Sequence, residues 1–242
     1  MPKIEKYSKS AAARMMGEVW NVLDADEQRL VEMTLTVERF KKHEMIYRVG
    51  ARPEYLYFLL SGRVKIYRDG LGGKRLINRV LRPGQFFGYR AAIAYENYVT
   101  EAAAFEESSV LLLPVGIVLN MMRTNAALCR FFVKALAVDL GAADKRIVSL
   151  TQKHVRGRLA ETLLDLQDIY GMENDGETLD LRISREDLAS LSNMTTSNAI
   201  RTLSMFADNG LLEVKGRKIR FLNVGELRRI SEGNVEKAVP RG

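Results

Sequence analysis

Residues 183–203 read ISREDLASLSNMTTSNAIRTL, and this stretch decides how the C-terminal part of the chain folds. The spacing of its apolar residues predicts two short helices joined by a tight turn. Asn193 falls where that spacing is interrupted, and asparagine tolerates the left-handed backbone conformation that a tight turn requires. Thr195 can then cap the second helix. The predicted inner faces consist of Leu188, Ala189 and Leu191 on the first helix and Ala199 and Leu203 on the second.

The outward face of the second predicted helix carries hydrogen-bonding side chains rather than pairs of opposite charge. These side chains belong to Thr196, Ser197, Asn198 and Arg201. A DNA helix-turn-helix has this layout, and its second helix enters the major groove. The same spacing also fits an ordinary helical hairpin, so the stretch alone leaves both interpretations open.

A basic hairpin is predicted directly after the helix pair, at residues 214–221, VKGRKIRF. Basic and apolar residues alternate around Gly216, which predicts a two-stranded ribbon with a cationic tip. A helix pair followed by such a ribbon is a winged helix-turn-helix, and the cations suit phosphates that flank the groove. The order of these elements favours DNA binding over a solvated hairpin.

Composition and charge narrow the class of protein. The 242 residues suffice for two modest domains, and the charged N-terminal segment lacks the apolar core of a secretory signal. The sequence contains no run of about 18 apolar residues, so it predicts no membrane span. The single cysteine, Cys129, excludes a disulfide within one chain and a four-cysteine metal site, and it suits a reducing compartment. We therefore expect a cytoplasmic protein that does not contact a membrane and binds no metal.

The net charge of +7 is no argument for DNA binding, because from residue 152 onward the chain carries 14 basic and 14 acidic residues. The excess lies before that point. Within residues 182–220, however, basic residues outnumber acidic ones, so the predicted DNA-binding face is locally basic.

The central part of the chain, from about residue 37 to 114, predicts short β-strands separated by glycine and proline turns. Apolar and aromatic segments recur there at the spacing of an all-β sandwich or barrel, at residues 55–60, 63–67, 76–81 and 109–113. Residues 11–35, before this region, have a helical pattern.

A long helix is predicted after Pro114, because residues 116–167 contain no proline and carry apolar residues at helical spacing. Alternating steps of four and three residues form a heptad seam of Cys129, Val133, Leu136, Leu140, Ala143, Ile147 and Leu150. A second set indicates that another face packs on the β-domain: Leu128, Phe131, Phe132 and Ala135. We expect the seam to join two copies, which would provide two recognition helices for a two-fold-related site. A break near residues 151–153 is a candidate hinge.

In this order the chain resembles the Crp/Fnr superfamily of bacterial transcription regulators. The resemblance covers about residues 40–221 and rests on YFLLSGRV at 57–64, PGQFFG at 83–88 and the helix-turn-helix with its wing. It implies an α+β fold in three parts. These are a helix and a jelly-roll-like β-roll sensor at 1–123, a dimerisation helix and hinge at 124–151, and a winged helix-turn-helix at 152–242.

The resemblance also implies an effector pocket, whose candidate residues are Gly88, Tyr89, Arg90, Val99 and Thr100. In members that bind cyclic nucleotides, a Gly-Glu-Leu segment holds the ribose and a later Arg-Ser or Arg-Thr pair neutralises the cyclic phosphate. Here Tyr89 and Val99 replace the carboxylate and the arginine. Burying a phosphate without a cation is costly, so we expect no binding of cyclic AMP in the usual manner. Whether Arg90 substitutes for the missing cation stays open, and the effector stays unidentified.

Other sensing chemistries of the superfamily lack their ligands in this sequence. Its oxygen sensors bind an iron–sulfur cluster through several cysteines, and its haem-binding members need axial ligands. His43 and His154 have no second ligand at a diagnostic spacing, so we expect neither haem nor an iron–sulfur cluster. Cys129 is expected to be a small core residue, with a redox role as the alternative.

The DNA-reading positions depart from the family pattern as well. Thr196 and Ser197 stand where many members carry an arginine and a glutamate that read bases, and only Arg201 keeps the cationic base-reading role. The resemblance assigns phosphate or backbone contacts to Arg185, Thr195, Asn198, Lys215 and Gly216. The operator should therefore differ from the best-known family sites.

Together these features predict a homodimeric, sequence-specific DNA-binding transcription regulator whose β-roll senses a small molecule. Its expected partners are double-stranded DNA and a second copy, and RNA polymerase is a further candidate. No catalytic residues are predicted. One alternative is a β-roll enzyme or metal cupin, which would need several histidine and carboxylate ligands in one barrel. The other is an effector-free module whose helix-turn-helix contacts protein rather than DNA.

Overall fold

The computed structural model describes residues 7–70 and 75–233. Contacts between residues divide the chain into two units, one formed by Met1–Asp69 with Asn78–Ala142 and the other by Gly70–Ile77 with Ala143–Gly242. This division falls inside the long helix. The three-part division at residues 123 and 151 follows function instead and stays a prediction.

Three short helices precede the first strand: α1 (Lys9–Arg14), α2 (Glu18–Asn21) and α3 (Ala25–Thr34). The helical region expected at residues 11–35 is therefore present but divided. Gly17 breaks it with a positive φ of 57°, a backbone conformation that glycine adopts readily. Asp24 starts α3 through a capping box with Glu27, in which each side chain accepts a hydrogen bond from the other residue's backbone N–H.

The predicted β-domain is a roll of two four-stranded sheets, counted over the residues that the structure describes. The elements are β1 (Thr36–Phe40), β2 (Met45–Tyr47), β3 (Tyr55–Ser61), β4 (Val64–Asp69), β5 (Arg75–Leu81), β6 (Phe86–Phe87), helix α4 (Tyr89–Ile93), β7 (Glu101–Ala104) and β8 (Ser108–Pro114). The strand orders are β1-β8-β3-β6 and β2-β7-β4-β5. Gly62 turns the chain between β3 and β4 at a φ of 82°, and a Cβ there would collide with the backbone of Glu107 and Ser108.

Two apolar clusters form the core of the first unit. One is aromatic, with Tyr47, Tyr57, Phe87 and Tyr98 among its buried members. The other joins strand residues such as Phe58 to the N-terminal helices and to the two helices that follow the roll.

The helices after the roll are α5 (Val115–Thr124), α6 (Ala126–Gln152) and α7 (Val155–Tyr170). Asn125 separates the first two, and its Oδ1 accepts the backbone N–H of Leu128 at 2.9 Å. The predicted packing face is confirmed, because Leu128 and Phe132 are buried in the second cluster and Phe131 and Ala135 pack against it. The break predicted near residues 151–153 is confirmed by the end of α6 at Gln152.

The C-terminal elements are α8 (Arg185–Leu191), α9 (Thr196–Asp208), β9 (Leu212–Lys215), β10 (Lys218–Phe221) and α10 (Val224–Ser231). The predicted winged helix-turn-helix is therefore confirmed as a fold.

Candidate DNA-binding interface and effector pocket

The turn between α8 and α9 is built from local side-chain and backbone hydrogen bonds. Ser184 caps α8 by accepting the backbone N–H of Asp187 at 3.0 Å. Asn193 has a φ of 50°, as predicted for the turn, and Thr195 Oγ1 caps α9 by accepting the backbone N–H of Asn198 at 3.2 Å. These caps satisfy donors that a helix start leaves without an intrahelical partner.

The predicted inner faces of the two helices are confirmed by burial. The buried apolar residues are Leu188, Ala189 and Leu191 on α8 and Ala199, Leu203 and Phe206 on α9. Because this set fixes one side of α9 to the domain, the opposite side faces outward at its N-terminal half.

The outward side of α9 presents Thr196, Ser197 and Arg201, which are all exposed. Asn198 is partly buried, and its Oδ1 accepts a hydrogen bond from Arg201 Nη2 at 2.9 Å. Ile200 lies on this side too and is 47% exposed. Sequence reasoning missed Ile200, although its position one turn after Thr196 and outside the buried arc could have revealed it.

The wing is the two-stranded ribbon of β9 and β10, with Lys215 opposite Lys218 and Gly216 at a φ of 57° in the turn. Lys215 Nζ forms an ion pair with Glu213 at 2.7 Å, and Lys218 Nζ forms one with Glu173 at 2.8 Å. Arg217 is exposed between them, and within the described residues no ion pair involves it. The cationic tip is therefore partly neutralised, and Arg217 is a further candidate that sequence reasoning did not single out.

Arg185 connects the first helix of the motif to the wing, because its Nη2 donates to the Gly216 carbonyl at 2.8 Å. Its Nη1 is buried and has no hydrogen-bond partner among the described residues. Burial lowers the pKa of the Arg185 guanidinium. A guanidinium with an unused donor is suited to an incoming acceptor such as a phosphate oxygen.

The candidate effector segment starts at Gly88, which has a φ of 80° and precedes α4. Tyr89 is 4% exposed, and its hydroxyl donates to Asp139 Oδ2 on α6 at 2.6 Å. Arg79 Nη1 also bonds Asp139. Burial, followed by the hydrogen bond with Asp139, raises the pKa of Tyr89. The residue that replaces the ribose-binding carboxylate is thus already bonded within the protein.

The other pocket candidates differ in their surroundings. Arg90 Nη1 forms an ion pair with Glu96 at 3.0 Å, and both side chains are about half exposed. Val99 is exposed as well. Thr100 is partly buried and forms a hydrogen bond with Tyr47. Burial raises the pKa of the Tyr47 hydroxyl, and the hydrogen bond with Thr100 opposes that rise by a smaller amount.

Aromatic rings fill the space between the two sheets. Tyr47 stacks on Tyr98 at 3.9 Å between ring centroids, and Tyr57 stacks on Phe87 at 5.0 Å. Burial raises the pKa of Tyr57 to about 12. A Cβ on Gly88 would lie 2.9 Å from Tyr57 Cδ2, so the segment is tightly packed against this ring.

The seam residues lie along α6, and three of them are largely exposed in the single chain: Val133 at 57%, Leu140 at 64% and Ile147 at 60%. Ala143 is also exposed, while Cys129 and Leu150 are partly buried. Leu136 is partly buried because it packs against the second apolar cluster. An exposed apolar stripe therefore runs along one side of α6.

Among residues 7–70 and 75–233, no group of three or more histidine, cysteine or acidic side chains could hold a metal ion. No helix in that part of the chain combines the length and the apolar character that crossing a bilayer requires. His43 and His154 are both exposed.

Comparisons with known proteins match both halves of the chain. Residues 37–125 match the cyclic nucleotide-binding domain family, and residues 157–230 match the Crp-like helix-turn-helix domain family. An anaerobic regulatory protein of Bacillus subtilis (strain 168) is 25% identical over 196 residues, which are 80% of this chain and 82% of that protein. A global nitrogen regulator of Nostoc sp. is 26% identical over 186 residues, 76% of this chain and 83% of that protein. The structure of FixK2 from Bradyrhizobium japonicum shares the fold, with a TM-score of 0.74 at 24% identity over 85% of this chain and 100% of that one.

Proposed function

The chain belongs to the Crp/Fnr superfamily of bacterial transcription regulators, and we propose that it recognises a specific sequence of double-stranded DNA as a homodimer. The observation that carries this proposal is the exposed outward side of α9, with Thr196, Ser197 and Arg201. Such a helix presents donors and acceptors to base edges in the major groove. The protein acts in the cytoplasm as a binding protein rather than an enzyme, and RNA polymerase is a candidate partner.

The residues of the motif divide into base readers and phosphate binders. Arg201 reads a guanine, because a guanidinium can donate to both O6 and N7. Its hydrogen bond with Asn198 holds it on the outward side of α9 before DNA arrives. Arg185, Thr195, Lys215 and Gly216 contact the phosphate backbone, which positions the domain without reading sequence.

Homodimerisation uses the exposed apolar stripe of α6. Val133, Leu140 and Ile147 recur at intervals of seven residues, and a heptad repeat is typical of paired helices. A dimer with two-fold symmetry would carry two α9 helices about 34 Å apart, the spacing of one DNA turn. This requirement calls for two copies of the chain, and the exposed apolar stripe is the surface that we propose joins them.

The β-roll is proposed to regulate DNA binding without cyclic AMP in the usual mode. Tyr89 is bonded to Asp139, Arg90 is paired with Glu96, and Val99 brings no charge. A cyclic phosphate at this segment would therefore lack both the carboxylate and the cation that accompany it elsewhere in the superfamily.

Binding selection on random double-stranded DNA tests the division of roles. Arg201→Ala should weaken the preferred site by about 1–3 kcal/mol and flatten the preference at one base pair in each half-site. Lys215→Ala should weaken all sequences alike and lower the slope of log affinity against log salt by about one.

Two results would contradict the proposal. If the unaltered protein selects no sequence and shows no salt-dependent DNA binding, the helix-turn-helix contacts something other than DNA. If Arg201→Ala leaves base preference unchanged while Lys215→Ala alters it, α9 is not the helix that reads the groove.

A further inference from the structure

The C-terminal end of α8 is held by two arginines that lie outside the helix-turn-helix, Arg146 on α6 and Arg158 on α7, called here the arginine pair. Arg146 Nη2 donates to the Leu191 carbonyl at 2.7 Å. Arg158 donates from Nε to the Ser192 carbonyl at 3.1 Å and from Nη2 to the Asn193 carbonyl at 3.3 Å. The last carbonyls of a helix have no intrahelical partner, so these bonds satisfy groups that would otherwise need water.

The same two arginines reach back to the end of the long helix. Arg146 is itself part of α6, and Arg158 Nη1 donates to the carbonyl of Lys153 at 2.9 Å. Lys153 is the first residue after α6, in the short break before α7. The arginine pair therefore spans the candidate hinge and connects the end of α6 to the turn between α8 and α9.

That turn sets the direction in which α9 leaves α8. Asn193 has a left-handed backbone, and the N–H of Met194 donates to the Ala189 carbonyl at 3.0 Å. A displacement of the turn therefore displaces the start of α9. A guanidinium suits such a link because its donors are arranged in a rigid, planar fork, whereas a lysine offers one flexible ammonium group.

The Arg146 side chain that contacts the Leu191 carbonyl is partly buried, so this hydrogen bond belongs to the packed interior of the domain rather than to its solvated surface. Its guanidinium is partly buried, and burial lowers its pKa although Asp165 and Glu161 act in the opposite sense. Withdrawing a cation from water costs free energy that the hydrogen bonds to carbonyls must offset.

We propose that Arg146 and Arg158 are positioning residues that fix the direction of α9 relative to the C-terminal end of α6, and thereby the distance between DNA half-sites that the dimer accepts. The proposal rests on the proposed function, because half-site spacing has meaning only for a dimer on DNA. It adds that spacing is set by contacts to backbone carbonyls, separately from the side chains that read bases.

A spacing selection tests the proposal with Arg146→Lys, Arg158→Lys and the matched control Arg156→Lys. Arg156 lies two residues before Arg158 on the same helix and is exposed. The half-site preferred by the unaltered protein is placed twice on each DNA, with spacers that differ by single base pairs. Affinity for every spacer, the salt slope and thermal stability are measured for all four proteins.

We expect the unaltered protein and Arg156→Lys to prefer one spacer. Each arginine-pair variant should lose about tenfold of that preference, roughly the worth of one charge-assisted hydrogen bond. Base preference within the half-site and the salt slope should not change. Arg158→Gln, which keeps fewer donors, serves as a second variant if a lysine variant is unstable at the assay temperature.

Folded variants that keep the spacer preference of the unaltered protein would overturn the proposal while leaving the proposed function intact. If base preference declines together with spacer preference, the arginines support the shape of α9 rather than its direction, and the proposal is again overturned. An unaltered protein that selects no paired half-sites would instead contradict the proposed function itself.

Discussion

Leu140 offers a direct test of the dimer seam, because α6 also carries a matched control. Leu140 and Val138 are both 64% exposed in the single chain and lie two residues apart. Residues two apart on an α-helix point in directions about 160° apart. Only Leu140 belongs to the stripe with Val133 and Ile147, so the two positions differ in direction and not in exposure.

The expected magnitude follows from the exposed fraction of Leu140. Full burial of a leucine side chain contributes about 1.5–3 kcal/mol, so covering the 64% that is exposed contributes about 1–2 kcal/mol per copy. Both copies meet at a two-fold axis, and Leu140→Ala should therefore weaken the dimer by about 2–4 kcal/mol, or roughly 30- to 1000-fold. Leu140→Lys should weaken it further, because two like charges would face each other in a desolvated interface.

Sedimentation velocity over a dilution series measures the monomer–dimer equilibrium of the unaltered protein, Leu140→Ala, Leu140→Lys and Val138→Lys. Val138→Lys should remain dimeric, and Leu140→Lys should be monomeric. Both side chains are exposed in the single chain, so far-UV circular dichroism should show that each monomer keeps its fold. If Leu140→Lys remains dimeric while Val138→Lys dissociates, the seam lies on another side of α6.

Three further predictions address the pocket, the operator and pH. Because Tyr89 is bonded to Asp139 and Val99 carries no charge, cyclic AMP should bind no more tightly than about 1 mM by calorimetry; micromolar affinity would show that a cation reaches the phosphate. Ile200 is exposed on the outward side of α9, where it can contact a thymine methyl, so Ile200→Ser should reduce selection for thymine at one position by about tenfold, and an unchanged selection would exclude Ile200 from the groove. Desolvation, followed by repulsion from the negative charges of Glu161 and Asp168, raises the pKa of Asp165 to about 6. The folded chain therefore binds a proton at Asp165 more readily than the unfolded chain does. The free energy of unfolding consequently falls as pH rises from about 4 to 6. Asp165→Asn should remove that fall and stabilise the protein at pH 7 by about 1 kcal/mol, less than the full shift implies because the residue keeps part of its surface in solvent, which screens the charge; thermal melts from about pH 4 to 7 that match those of the unaltered protein would contradict the assignment.

The parts of the fold that sequence predicted are those encoded by neighbours in the chain. The turn at Asn193, the cap at Thr195 and the hairpin at Gly216 each depend on backbone conformations or hydrogen bonds within a few residues. The division of the N-terminal helices was missed although it has a local signal. Asp24 and Glu27 stand at the spacing of a capping box, which predicts a helix start between residues 11 and 35.

Contacts between distant segments had no comparable signal. The hydrogen bond from Tyr89 to Asp139 joins residues 50 positions apart. From sequence, the tyrosine in place of the ribose-binding carboxylate indicates only that the usual contact with the ribose is absent. The ion pair of Arg90 with Glu96 could have been predicted from sequence, because the two residues are six positions apart. The same residues also fitted the alternative that Arg90 binds an anionic effector. Only the path of the chain after Gly88 decides between them.

Arg201 and Arg158 illustrate why a reading role is easier to predict than a positioning role. Both are arginines on helices, and neither has an unusual sequence environment. Arg201 is recognised because its side chain points away from a buried face, a property that helical periodicity supplies. The partners of Arg158 are the backbone carbonyls of Lys153, Ser192 and Asn193. Every residue has a backbone carbonyl, so the sequence gives no sign of such a contact. Its role therefore becomes visible only when packing has brought the end of α8 beside α7, and the same reasoning implies that residues which set half-site spacing will escape any search based on base-reading positions.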